Sequence, residues 1–82
     1  MYKPKDLSKD AEKALRTIAK CARKSRAFWI SAYRHGTMEN LASVPCRADT
    51  FIRAIDGAHG QVDIYIRWLD RERKVLCIDL DA

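Results

Sequence analysis

The hydrophobic period changes once along this chain, and that change sets what it can fold into. From Ala11 to Tyr33 the buried-type residues recur every three or four positions, as Ala11, Ala14, Leu15, Ile18, Ala22, Ser25, Trp29, Ala32 and Tyr33. At about 100° per residue they fall within one arc roughly 100° wide, the stripe of a core-facing helix. After Pro45 the period shortens to two: Val62, Ile64, Ile66 and Trp68 alternate with Asp63, Tyr65 and Arg67, and Leu76, Ile78 and Leu80 repeat the pattern. A helical first half packed on a sheet second half is an α+β domain.

The helix has clear bounds. Ser8 is a suitable N-cap, Asp10 lies in the first turn where the helix dipole favours an anion, and Gly36 after Arg34 and His35 reads as the stop. A helix over Lys9–His35 would be about 40 Å long, whereas strands of eight residues reach only about 26 Å. The stripe therefore outruns its cover. Either the helix breaks near Ser25–Arg26 or its second half packs on another copy of the chain. Residues 28–33 are also aromatic and β-branched, which suits a strand; helix is the preferred reading. Thr37 can cap a short helix through Leu41 or Ala42, which Pro45 then stops.

Beyond it, Thr50–Ile55 reads as a first strand, Gly57–Gly60 as a turn, Gln61–Leu69 as a second strand and Lys74–Asp81 as a third. In the first of these, Phe51 and Ile55 point opposite to Ile52 and Ala54. Short loops imply an antiparallel meander, and a common buried face sets Trp68 against Leu76, Ile66 against Ile78 and Ile64 against Leu80. The expected architecture is a single domain over residues 1–82. Its helical half, 6–44, is a long, conditionally broken amphipathic helix plus a short one, laid on a three-stranded β-meander over 48–81.

Apolar residues at 48% and charged residues at 33% fit a folded chain rather than a disordered one. No run approaches the ~18 apolar residues of a membrane span, and Met1–Asp10 carries no apolar leader segment, so no membrane partner and no secretion are expected. Cys21, Cys46 and Cys77 are odd in number and far apart, which suits free thiols in a reducing, cytoplasmic setting. Their apolar neighbours make all three read as small buried hydrophobes.

The formal charge of +5 is unevenly spread. Residues 1–36 hold ten Lys/Arg against three Asp/Glu, leaving +7; residues 37–82 hold six against eight, leaving −2. Within the helix, Lys9, Lys13, Arg16, Lys20, Arg23 and Lys24 fall on the arc opposite the apolar stripe, with only Glu12 as a carboxylate near them. A solvated helix back is the ordinary explanation of such a face, but ordinary faces mix signs in i,i+4 pairs. The strip is therefore a candidate for binding nucleic acid or another acidic macromolecule through its backbone charge. No zinc-finger spacing, RNA-recognition aromatic signature or glycine-rich clamp loop adds base-reading specificity.

Two further groups stand out. Phe28, Trp29, Ile30 and Tyr33 include residues that one sheet cannot cover, a candidate protein interface or homodimer contact within residues 25–35. In the register above, Asp63 faces Asp81 and Tyr65 faces Asp79; Arg53, Arg67 or the basic helix would offset the acids more simply than a metal. No metal or cofactor is expected. Neither histidine has a cysteine at ligand spacing, no serine sits in a nucleophile elbow and no glycine-rich loop follows a strand, so an enzyme is not expected. A Cys46 dyad with His59 or His35 would need a placement that nothing in the sequence signals. The expected function is a non-enzymatic binding protein docking its basic helix on an acidic surface, foremost nucleic acid. The alternative is a protein-binding inhibitor or adaptor of the phage or mobile-element type, acting through the aromatic patch or an open sheet edge.

Overall fold

The computed structural model describes residues 1–81. In chain order it contains α1 (Lys9–Lys24), β1 (Trp29–Arg34), β2 (Asn40–Pro45), α2 (Ala48–Ile55), β3 (Gln61–Arg67) and β4 (Glu72–Asp79). The strands form one antiparallel sheet in the order β2-β1-β3-β4. It is an α+β fold with four strands rather than three.

Helix α1 begins as the capping residues imply, with the Ser8 hydroxyl accepting a hydrogen bond from the Ala11 amide at 3.1 Å. It does not run to His35. It ends at Lys24, where the Ser25 amide bonds back to the Cys21 carbonyl and Arg26 takes a left-handed φ of 65°. The chain thus breaks at Ser25–Arg26, and the aromatic and β-branched residues that follow become β1. Strand period decides their fate: Ile30 and Ala32 point into the core at 0% exposure, while Trp29 and Tyr33 point to the other face.

The expected short helix after Thr37 is instead a hairpin. Gly36 adopts φ 74°, the Thr37 hydroxyl donates to the Arg34 carbonyl and accepts from the Glu39 amide, and the chain returns as β2. Pro45 ends this edge strand, a position where its missing N–H breaks no ladder. The expected strand over Thr50–Ile55 is α2. Phe51, Ile52 and Ile55, inconsistent as a strand, lie together on one helical face and are buried to 1% exposure or less.

Strands β3 and β4 form where expected and with the expected buried faces, but four residues out of register. Ile64 faces Leu76 rather than Leu80, and Val62 faces Ile78. The turn is the cause: the Trp68 amide bonds the Arg71 carbonyl at 2.7 Å, so β4 starts at Glu72, and a bulge between Ile64 and Tyr65 absorbs the odd residue. Ahead of the bulge the even shift keeps side chains on their faces; past it the offset is five, and Lys74 faces outward opposite Tyr65.

Both helices cover the same side of the sheet. Leu15, Ala19 and Ala22 of α1 and Phe51, Ile52 and Ile55 of α2 pack with Ile30, Ala32, Val62, Ile64 and Ile66 into one core closed by Leu80. The thinnest extent of the backbone is 16 Å, enough for one helix layer and one sheet layer. The other sheet face carries Trp29, Ser31, Tyr33, Asp63, Tyr65, Arg67 and Cys77 with no helix over it.

One carboxylate gathers the segment ahead of α1. Asp56 accepts hydrogen bonds from the Lys5 amide at 2.8 Å, the Tyr2 hydroxyl at 2.7 Å and the Asp6 amide at 3.0 Å. These donors, the Lys5 amide foremost, hold its pKa down to about 2. A carboxyl whose folded pKa lies below its unfolded value stabilises the fold above the unfolded value, about 3.9, and that contribution disappears as pH falls toward 2. Residues 1–7 are therefore expected to detach between about pH 4 and pH 2, before the core opens. Amide exchange protection at Lys5 and Asp6 measures this, and Asp56→Asn should lower it already at neutral pH. Unchanged protection in that variant would contradict the clasp.

Candidate anion-binding face of the first helix

The side of α1 turned from the sheet is cationic. Lys9, Lys13, Lys20, Arg23 and Lys24 are all exposed, and among the described residues none of them makes an ion pair. The helical repeat places them in one row about 22 Å long from Lys9 to Lys24. Beside the row lies an open groove of about 460 Å³ lined by Met1, Lys9, Glu12, Lys13, Arg16, Thr17 and Lys20. One carboxylate among four Lys and Arg side chains leaves the groove strongly positive.

Arg16 belongs to the row by spacing but not by role. Its Nε donates to Glu12 at 2.8 Å, its Nη1 to Asp49 at 2.6 Å and its Nη2 to the Tyr2 carbonyl at 2.7 Å, with the side chain 14% exposed. The Asp49 carboxylate raises the Arg16 pKa, and Arg16 in return lowers that of Asp49. Arg16 ties α1 to α2 and to the N-terminal segment, so its charge is already matched.

The aromatic group is split by the strand. Ile30 is fully buried, which removes it from any interface, whereas Phe28 is 55% and Trp29 43% exposed. Tyr33 stands half-buried on the open sheet face, edge-on to Tyr65 with ring centroids 5.4 Å apart. Residues 29–34 pair with β2 on one side and β3 on the other, so β1 offers no free edge; the edges are β2 and β4.

The acids are offset by groups other than those expected. Asp81 does not face Asp63; it accepts from the Gly60 amide at 2.8 Å and pairs with His59 Nδ1 at 2.9 Å, which lowers the Asp81 pKa and raises that of His59. Asp63 is buried on the open face, opposite Cys77 in the β ladder. His35 Nδ1 lies 2.9 Å from its Oδ1 and Lys74 Nζ 3.5 Å from the same oxygen, and the His35 hydrogen bond holds the carboxyl below its usual range.

Of the three thiols only Cys46 is buried, and burial raises its pKa; Cys21 and Cys77 are exposed, contrary to the reading of all three as core. The thiol that meets a histidine is Cys77, whose Sγ lies 3.5 Å from His35 Nδ1. Local desolvation and the neighbouring Asp63 carboxylate raise its pKa. Asp63 and Cys77 approach the same ring nitrogen, whereas a nucleophile relay needs the base's two nitrogens to serve the thiol and the acid separately. The trio offers three donor atoms facing one another and no relay. Its signal in the sequence was the outward parity of Asp63 and Cys77, hidden by the four-residue register difference. Set against protein-family models, curated proteins and solved structures, the chain finds no match in any of the three.

Proposed function

We propose that this chain is a non-enzymatic binding protein whose α1 face docks on the phosphate backbone of a nucleic acid, alone or within a nucleoprotein assembly. The observation that carries the reading is the row of five exposed cations that no acid among the described residues matches. A row about 22 Å long spans roughly six phosphates of one strand at 3.4 Å each, close to the number of cations it presents. Contact with phosphates positions a protein without reading bases, so sequence preference should be weak.

The test is a salt titration of binding to labelled duplex and single-stranded oligonucleotides, followed by fluorescence anisotropy. Five phosphate contacts predict a slope of log affinity on log salt near about −4.5 for duplex, a drop of about 500-fold between 50 and 200 mM. A slope shallower than about −1, or no binding at 50 mM, would overturn the reading.

A second reading, a protein-binding inhibitor or adaptor of the kind mobile elements use, is favoured by one observation: Phe28 and Trp29 are about half exposed beside an open sheet face. Aromatic anchors of this type dominate protein interfaces. The double substitution Phe28→Ser, Trp29→Ser separates the two readings, because it leaves the salt slope unchanged if α1 carries the function.

A further inference from the structure

The open sheet face holds a second cluster, which does not depend on the role of α1. His35 lies in the turn just after β1, Asp63 in β3 and Cys77 in β4, so two adjacent strands and the turn beside them supply one donor each. Two backbone features fix them. Asp63 and Cys77 are direct partners in the ladder, and the His35 amide bonds the Gln61 carbonyl at 3.1 Å. Nδ1, the carboxylate oxygen and Sγ all lie within 4.8 Å of one another.

We infer that His35, Asp63 and Cys77 form a binding site for a borderline-soft divalent cation of the zinc type, bound through Nδ1, one carboxylate oxygen and the thiolate, with a fourth position open to solvent.

The donor set is the first argument. Nitrogen, oxygen and sulfur together suit Zn²⁺ and Co²⁺, whereas Mg²⁺ and Ca²⁺ prefer oxygen alone. The second is spacing. Zinc–nitrogen, zinc–oxygen and zinc–sulfur lengths of about 2.0 to 2.3 Å put tetrahedral ligand atoms about 3.4 to 3.6 Å apart. Sγ and Nδ1 are 3.5 Å apart, and Nδ1 and Oδ1 are 2.9 Å apart. Side-chain rotation of exposed His35 and Cys77 covers the remaining adjustment while the sheet holds the backbone.

The local field also suits a cation. Buried Asp63 already draws Lys74 Nζ to 3.5 Å and the His35 ring to 2.9 Å, so the point between the donors favours positive charge before any metal arrives. Lys74 is a competing cation on a flexible, half-exposed side chain that can withdraw. On binding, the Cys77 thiol loses its proton to solvent, the His35 proton resides on Nε2, and both atoms give lone pairs to the metal with no change in oxidation state.

Cobalt(II) titration of the reduced full chain tests the site. The expected result is one Co²⁺ per chain, visible d–d bands of tetrahedral geometry and a thiolate charge-transfer band in the near ultraviolet, all displaced by Zn²⁺. Cys77→Ser should remove the charge-transfer band, and Cys77→Ser and His35→Ala should each weaken binding at least as much as loss of an outer-shell partner does, about 10- to 100-fold. Cys21→Ser and Cys46→Ser should leave both unchanged, and Lys74→Ala should tighten binding. Circular dichroism of each variant separates loss of ligand from loss of fold. Absence of stoichiometric binding by the unaltered chain, or a charge-transfer band that survives Cys77→Ser, overturns the inference.

Discussion

Phe51→Ala is expected to cost about 3–5 kcal/mol, a quarter or more of the fold's stability. Phe51 is the largest fully buried side chain, at 0% exposure, and it sits where α2 meets the core shared by both helices and the sheet. Truncation removes the transfer free energy of the ring and leaves a cavity that a two-layer fold has few side chains to refill. At about 0.05–0.15 kcal/mol per residue a chain of 82 residues has only about 4–12 kcal/mol in total. Urea unfolding followed by circular dichroism gives the measurement, with Phe28→Ala as the control. Phe28 is 55% exposed, so its truncation should stay within about 0.5 kcal/mol. A Phe51 variant within about 1 kcal/mol of the parent would contradict the assigned core.

The second large effect concerns binding. Replacing Lys9, Lys13, Lys20 and Lys24 together by Glu should lower affinity for nucleic acid by at least about 10³-fold at 100 mM salt. The change abolishes the release of about four counterions and sets four new charges against the phosphates. All four side chains are exposed and make no ion pair among the described residues, so the fold should survive. Arg16→Met should behave in the opposite way. Its guanidinium is engaged with Glu12, Asp49 and the Tyr2 carbonyl, so affinity should change little while Tm falls by about 5–10 °C, the shift that about 1–1.5 kcal/mol produces at this chain length. A reversed-charge variant that still binds would show that α1's row is not the docking face, and an Arg16 variant that loses binding while staying folded would show that Arg16 serves the docking face after all.

What the sequence discloses and what it conceals divide along the range of the interactions involved. Helix α1 and the buried faces of β3 and β4 were legible because each depends on a period carried by its own residues. Residues 29–34 were not, because Trp29, Ala32 and Tyr33 fit a helical stripe while Ile30 and Ala32 fit a strand. Pairing with β2 and β3, distant in sequence, decides between them. Phe51, Ile52 and Ile55 showed their conflict as a strand but not its resolution, which comes from packing α2 against α1 and the sheet. The cationic row was visible for the same reason as α1. The withdrawal of Arg16 was not, since Asp49 lies 33 residues away. His35, Asp63 and Cys77 meet only through a register that a two-residue change in the turn would destroy.

The N-terminal clasp has a practical consequence. Asp56 pins residues 2–6 so that Met1 forms part of the wall of the cationic groove. Any polypeptide joined ahead of Met1, an affinity tag included, would emerge at the mouth of that groove. An acidic tag would occupy it as a tethered competitor, and a polyhistidine tag would add cations to it as pH falls below about 6.5. Affinities measured on such fusions would report the appendage together with the protein.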